Sequence, residues 1–178
     1  MLLLYNNGYK SEELLQFKIS IYANVLTTMK LLCESLLKQQ QQQKQEMNSQ
    51  LQKILFFDNE TNEKMAKSLL DLLESQANSI VLHADRIYDE KMSEIVEKLW
   101  NDSRVRQMFE DHASDLHIFD GAIHFMSDLA RLRPPSYIPT SEDVLYCRRK
   151  TTGVVEFKFT HDQYMYNLID VGGYILHD

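Results

Sequence analysis

The residues best equipped for chemistry lie in two short runs late in the chain. Asp143-Val144-Leu145-Tyr146-Cys147-Arg148-Arg149-Lys150-Thr151-Thr152-Gly153 places consecutive cations directly before paired threonines. Asp170-Val171-Gly172-Gly173 follows. Taken in isolation, Arg148-Arg149-Lys150 reads as a solvated basic run and Asp170-Val171-Gly172-Gly173 as a strand-ending turn. Cys147 stands beside Arg148, a neighbour that lowers a thiol pKa. The six histidines form neither H-E-x-x-H nor another paired metal spacing. His112 and His117, five positions apart, suit one helical face poorly. The two cysteines, Cys33 and Cys147, form no C-x-x-C pair, which excludes a disulfide scaffold and favours a reducing, intracellular setting.

The elements that must position these runs follow from composition and pattern. A length of 178 residues predicts one domain, or one domain plus part of another. With 44% hydrophobic and 25% charged residues the composition is that of a globular protein. Lys and Arg number 19 against 26 Asp and Glu, a net charge of −7 that argues against nucleic-acid binding through a broad basic face. No apolar run approaches the ~20 residues of a membrane span. The opening Met1-Leu2-Leu3-Leu4 is too short for a signal-peptide core and lacks a basic leader, and Leu2 rules out myristoylation at that position.

Between Gly8 and Gly121 the chain contains no Gly or Pro, as an unbroken series of helices requires. Ser11 caps the first, with Glu12 and Glu13 close behind. Leu14, Phe17, Ile21, Val25, Met29, Leu32 and Leu36 then form one apolar stripe. This helix runs into the Gln-rich stretch 39–45, read as a solvated helical extension or a disordered insert. Further helices are predicted over 61–73, 79–88, 89–100, 103–109 (Ser103 as cap) and 120–132. One more turn opens at Thr140 or Ser141. The expectation is about six helices burying each other's stripes in an orthogonal or bundle-like α domain. After a hinge marked by Pro134, Pro135 and Pro139, the period changes to two. Residues 154–160 and 164–170 read as strands joined at His161-Asp162-Gln163, an antiparallel hairpin. Since a lone hairpin is marginal in water, it calls for a larger sheet.

Taken together, these runs resemble the heterotrimeric G-protein α-subunit family. In that family a D-V-L-x-x-R-x-K-T-T-G segment joins an all-helical domain to a strand, and the next strand ends in D-V-G-G-Q. Tyr137-Ile138-Pro139-Thr140 matches the family's Y-I-P-T. Gly8-Tyr9, Ser11-Glu12-Glu13 and Leu99-Trp100-Asn101-Asp102-Ser103 match its helical domain. The resemblance covers nearly the whole chain, with the Gln-rich stretch as an insertion-like departure. It implies a mainly α fold: an all-helical domain over 11–138, a switch I-like linker over 139–153, and a two-stranded remnant of a Ras-like GTPase domain over 154–178. Residues 1–10 would end the helix that follows the family's phosphate loop.

The resemblance implies GTP or GDP and Mg²⁺ as ligands. Arg148 aligns with the arginine that stabilises charge developing as the γ-phosphate bond breaks. Thr151 would offer its hydroxyl to Mg²⁺, and Asp170 would hold the ion through water. Gly173 would give a backbone N–H to the γ-phosphate, an approach that a side chain would obstruct. The nucleotide-facing residues would be Leu145, Tyr146, Cys147, Arg148, Arg149, Lys150 and Thr151, then Asp170, Val171, Gly172, Gly173 and Tyr174. Asp120, in Phe119-Asp120-Gly121, matches the family's N-D-S on a helix facing the cleft, with Gly in place of Ser. Trp100 is expected to anchor packing. Implied partners are G-protein βγ subunits, a receptor and regulators, with no nucleic acid. The implied location is the cytoplasm, peripheral at the inner face of the plasma membrane.

The departures shape the functional expectation. The 178 residues contain neither the G-x-x-x-x-G-K-[ST] loop that cradles phosphates nor the base-reading N-K-x-D. Tyr174 occupies the position of the water-orienting glutamine. The expectation is therefore an α-subunit-like signalling protein deficient in GTP binding and hydrolysis through truncation, with its contacts to βγ and receptor weakened likewise. The alternatives are a fragment of a functional GTPase, from an incomplete gene model, and a helical interaction module.

Overall fold

A computed structural model describes residues 9, 11–46, 56–76, 80–149 and 154–171. Lys150, Thr151, Gly172, Gly173 and Tyr174, and residues 1–8, lie outside the described residues. The described residues form eight helices and two strands. The helices are α1 Ser11–Glu46, α2 Glu60–Ser75, α3 Ile80–Ile87, α4 Glu90–Trp100, α5 Ser103–His112, α6 Ala122–Met126, α7 Leu129–Leu132 and α8 Ser141–Tyr146. The strands are β1 Val154–His161 and β2 Tyr164–Val171. The chain divides into two compact units, Met1–Arg148 and Arg149–Asp178. It is mainly helical, and no described helix is long and apolar enough to cross a membrane.

α1 is the axis of the helical unit, packed against α2, α3, α4, α5, α6 and α8. Its expected stripe is buried from Ile21 through Val25, Met29 and Leu32 to Leu36. Tyr22, Ala23, Leu26, Thr28 and Cys33 are buried as well. Neighbours on several sides thus enclose α1 beyond the single stripe its periodicity suggests. Each fully buried aliphatic side chain contributes roughly 1.5–3 kcal/mol.

The glutamines continue the helix, and one of them is structural. Gln40 is buried and its Nε2 donates to Glu63 Oε2 on α2 at 3.1 Å, whereas Gln41, Gln42 and Gln43 are exposed. α5 begins one residue away from the expected cap. Asp102 is the N-cap, accepting from the Arg104 amide through Oδ1. Its Oδ2 takes the Asp58 amide and Asn62 Nδ2, at 2.8 and 2.7 Å. Ser103 instead donates its amide and hydroxyl to Asp58, which holds that carboxyl below its usual range. Trp100 packs edge-on against Phe109 at 5.4 Å.

The single helix expected over 120–132 is two short ones, α6 and α7. The Ser127 hydroxyl donates to the Ile123 carbonyl at 2.7 Å, and Asp128 leaves helical conformation at φ −138°, ψ 52°. A serine that returns its hydroxyl to the preceding turn competes with continued helix.

In the second unit, β1 and β2 pair antiparallel, with Val154 opposite Val171 and His161 opposite Tyr164. The linking residues Asp162 and Gln163 both have positive φ, 46° and 69°. Positive φ at both positions matches the mirror-image turns that follow strand twist.

Candidate functional site

Asp143 organises the approach to the first chemistry-bearing run. Its side chain and Thr140 form a capping box at the start of α8: Thr140 Oγ1 accepts from the Asp143 amide, and Asp143 Oδ2 accepts from the Thr140 amide. The Asp143 side chain is 0% exposed. It accepts two bonds from the Arg131 guanidinium on α7, at 2.7 and 2.8 Å. His124 Nε2 on α6 lies 2.8 Å from Oδ1, and the Tyr137 hydroxyl donates to Oδ2 at 2.9 Å. Burial alone would push this carboxyl up. The bonds from Arg131, the Thr140 amide, His124 and Tyr137 outweigh that and hold it well below the usual carboxylate range. One carboxylate thereby fixes α6, α7 and the Pro-marked hinge to the start of α8.

Residues 145–148 leave α8 along a defined path. Cys147 is the C-cap, extended at φ −72°, ψ 124°. At Tyr146 the backbone presses on Gly121, where an added Cβ would lie 2.1 Å from the Tyr146 carbonyl oxygen. Glycine permits that approach of backbone to backbone. The Tyr146 ring stacks on His124, with centroids 4.4 Å apart. At Arg148 the restraint comes from α1: Asn24 Oδ1 accepts from the Arg148 amide at 2.9 Å, and Asn24 Nδ2 donates to the Arg148 carbonyl at 3.0 Å. The Cys147 thiol donates to the same Oδ1 at 3.5 Å. The backbone is held while the side chains of Leu145, Tyr146 and Arg148 are exposed, Leu145 at 67%.

The structure therefore brings together Leu145, Tyr146, Cys147 and Arg148 and sets Tyr146 against Gly121, the neighbour of exposed Asp120. Arg149 is exposed and begins the second unit. Asp170 and Val171 close β2, in register with Val155 and Val154. Among the described residues, no three His, Cys, Asp or Glu side chains gather as a metal site. A groove of about 670 Å³, lined in part by Lys18, Tyr22, Tyr88 and Arg133, includes none of these residues.

Sequence reasoning missed Asn24, Gly121 as a contact, and the His124–Asp143–Arg131 cluster. Asn24 left one signal, a polar residue beside Ile21, Val25 and Thr28 on the buried stretch of α1. Gly121 stood out as the departure from N-D-S, and its contact with Tyr146 supplies the physical reason for glycine there.

The family model for the G-protein alpha subunit matches residues 1–175. The chain is 29% identical over 173 residues to a guanine nucleotide-binding protein alpha-3 subunit of Caenorhabditis elegans, covering 97% of this chain and 43% of that protein. It is 31% identical over 174 residues to a guanine nucleotide-binding protein alpha-2 subunit of Neurospora crassa, covering 97% of this chain and 42% of that protein. The chain thus spans less than half the length of these curated relatives.

Proposed function

The chain belongs to the G-protein alpha subunit family, and on that premise we propose that it carries the part of a guanine nucleotide switch that closes over the nucleotide. The observation that carries this reading is Arg148: its backbone is bonded on both sides, its side chain is exposed, and it sits in the family's D-V-L-x-x-R-x-K-T-T-G pattern. A guanidinium aimed at the γ-phosphate stabilises the charge that develops as the bond to the leaving phosphate breaks, a known feature of switches of this class.

In this reading, Asp120, residues 145–151 and residues 170–174 are the proposed nucleotide-binding residues. The hairpin is part of a Ras-like GTPase domain, joined to the helical domain by a switch I-like linker. Thr151 and Asp170 are the residues of this chain that would hold Mg²⁺, as a hydroxyl and a carboxylate suit a hard, oxygen-seeking ion. When bound, that ion neutralises phosphate charge. The βγ subunits, a receptor and regulators are the proposed partners. The proposed location is the cytoplasm, peripheral at the inner face of the plasma membrane.

No G-x-x-x-x-G-K-[ST] loop and no N-K-x-D occur among these 178 residues. Several phosphate charges would have to leave water without those donors, and each 1.4 kcal/mol lost is tenfold in affinity. The 178-residue polypeptide alone is therefore proposed to hold GTP weakly and to hydrolyse it poorly. Titration with a fluorescent GTP analogue and Mg²⁺ tests this, with no saturation at micromolar concentrations expected. Micromolar or tighter binding that Thr151→Ala weakens would contradict it.

A further inference from the structure

We infer that Asn24 is a positioning residue for Arg148, a tether by which the long helix α1 fixes where the arginine-bearing arm leaves the helical unit. The inference rests on the reading of Arg148 given above. It adds a residue that the motif does not contain, 124 positions earlier in the chain.

The geometry is that of a backbone mimic. A carboxamide presents one carbonyl and one N–H group side by side, as a peptide unit does. Asn24 spends both on the same residue, accepting from the Arg148 amide at 2.9 Å and donating to its carbonyl at 3.0 Å. Rotating the amide by half a turn would set donor against donor and acceptor against acceptor, so the paired bonds select one orientation. Two bonds to one residue fix the direction of the chain as well as its position. The Cys147 thiol adds a third contact to Oδ1, at 3.5 Å.

Helix formation does not account for asparagine here. It is among the weaker helix formers, because its side chain competes for backbone hydrogen bonds. Its neighbours one turn away on α1, Ile21 and Thr28, are buried, so the position borders the core of the unit. A helix-favouring residue there would leave the Arg148 amide and carbonyl without these partners. An arginine that acts by electrostatic aim gains from a fixed starting point, since a long side chain on a wandering backbone samples many unproductive positions. With the tether in place, the arm travels with α1, and any movement of the helical unit carries Arg148 with it.

Amide hydrogen exchange by NMR on the full 178-residue chain tests the tether, read at Arg148 and, as controls, at Leu26 and Met29 in α1. In the unaltered chain the Arg148 amide is expected to be protected. In Asn24→Ala it should exchange about tenfold faster, the worth of a typical hydrogen bond, with the control amides unchanged. Asn24→Asp keeps the acceptor and loses the donor, and should retain part of the protection. An unprotected Arg148 amide in the unaltered chain, or equal protection in Asn24→Ala, overturns the inference. So does a loss spread evenly over α1, which would make Asn24 a helix-stabilising residue only. Repeating the measurement with millimolar GTP and Mg²⁺ separates the two readings. A shift of the Arg148 signal in the unaltered chain that shrinks in Asn24→Ala supports both. No shift, together with the expected loss of protection, supports the tether and matches the weak GTP binding proposed above, whereas a shift that saturates at micromolar GTP, with the same loss of protection, supports the tether and counts against that weak binding.

Discussion

The Arg131 guanidinium closes on the Asp143 carboxylate through two bonds of 2.7 and 2.8 Å, one to each oxygen. The pair joins the last turn before the Pro-marked hinge to the first turn after it. Removing one member strands the other, a loss worth about 3–5 kcal/mol when the orphaned charge is buried. Arg131→Ala strands the Asp143 carboxylate, 0% exposed, and should lower unfolding free energy by about that amount. Asp143→Ala leaves a guanidinium that is 32% exposed and should cost less for the lost pair, with about 0.5–2 kcal/mol more for the deleted α8 cap. Urea denaturation of both variants checks the order.

The same carboxylate gives the chain an acid-sensitive increment of stability. Its folded pKa lies below its unfolded value, so between the two the unfolded state binds more protons and stability rises with pH. The contribution is fully present above about pH 4 and is lost as pH falls further toward the folded value. The stability difference between the unaltered chain and Asp143→Asn should accordingly shrink from pH 6 to pH 2. A difference that is constant or growing toward acid would contradict the assignment.

Gly121→Ala tests the backbone approach at Tyr146. A new Cβ would meet the Tyr146 carbonyl oxygen at 2.1 Å, and neither backbone segment can yield as a flexible side chain would. A destabilisation of about 1–3 kcal/mol is expected. NMR shift changes should be largest at residues 145–148. A neutral substitution with unmoved signals at 145–148 would show that the approach is not maintained in solution.

The glutamine tract separates into one structural residue and a solvated remainder. Gln40→Ala leaves a buried acceptor on Glu63 short of one donor, at about 1–3 kcal/mol. Gln42→Ala, on the exposed side, should stay within about 0.5 kcal/mol. Equal effects at the two positions would mean that the tract is solvated throughout.

These contrasts show where sequence reasoning reaches and where it stops. The stripe from Ile21 to Leu36 was legible because apolar spacing is a local, periodic property. A helix start at Thr140 or Ser141 was legible because capping is a local property of residue type; the bonds with Asp143 single out Thr140. Gln40 was not, since its burial depends on Glu63, which arrives with another helix. The break between α6 and α7 was hidden by Ile123, Phe125, Met126, Leu129 and Leu132, whose spacing continues a helix through Ser127 and Asp128. Ile123 is 48% exposed, so the apparent stripe is not one buried face. The motif around Arg148 was legible as a resemblance. What holds its backbone was not, because Asn24 looks like any polar residue on a helix until the chain returns to it. Gly121 was visible as an exception to a pattern, and its reason is a contact with a carbonyl 25 residues later.

The most direct test of the central claim sets these residues within a longer relative. Residues 11–171 of this chain would replace the matched stretch of the Caenorhabditis elegans alpha-3 subunit, whose own sequence resumes beyond Val171. Single-turnover GTP hydrolysis would then be compared with and without Arg148→Ala. Both proteins should hold nucleotide, and the variant should hydrolyse it slower by about 10³-fold or more, the range known for such arginines. Equal hydrolysis rates in two nucleotide-loaded proteins would contradict the assignment of Arg148 and with it the account of this chain as the closing part of a nucleotide switch.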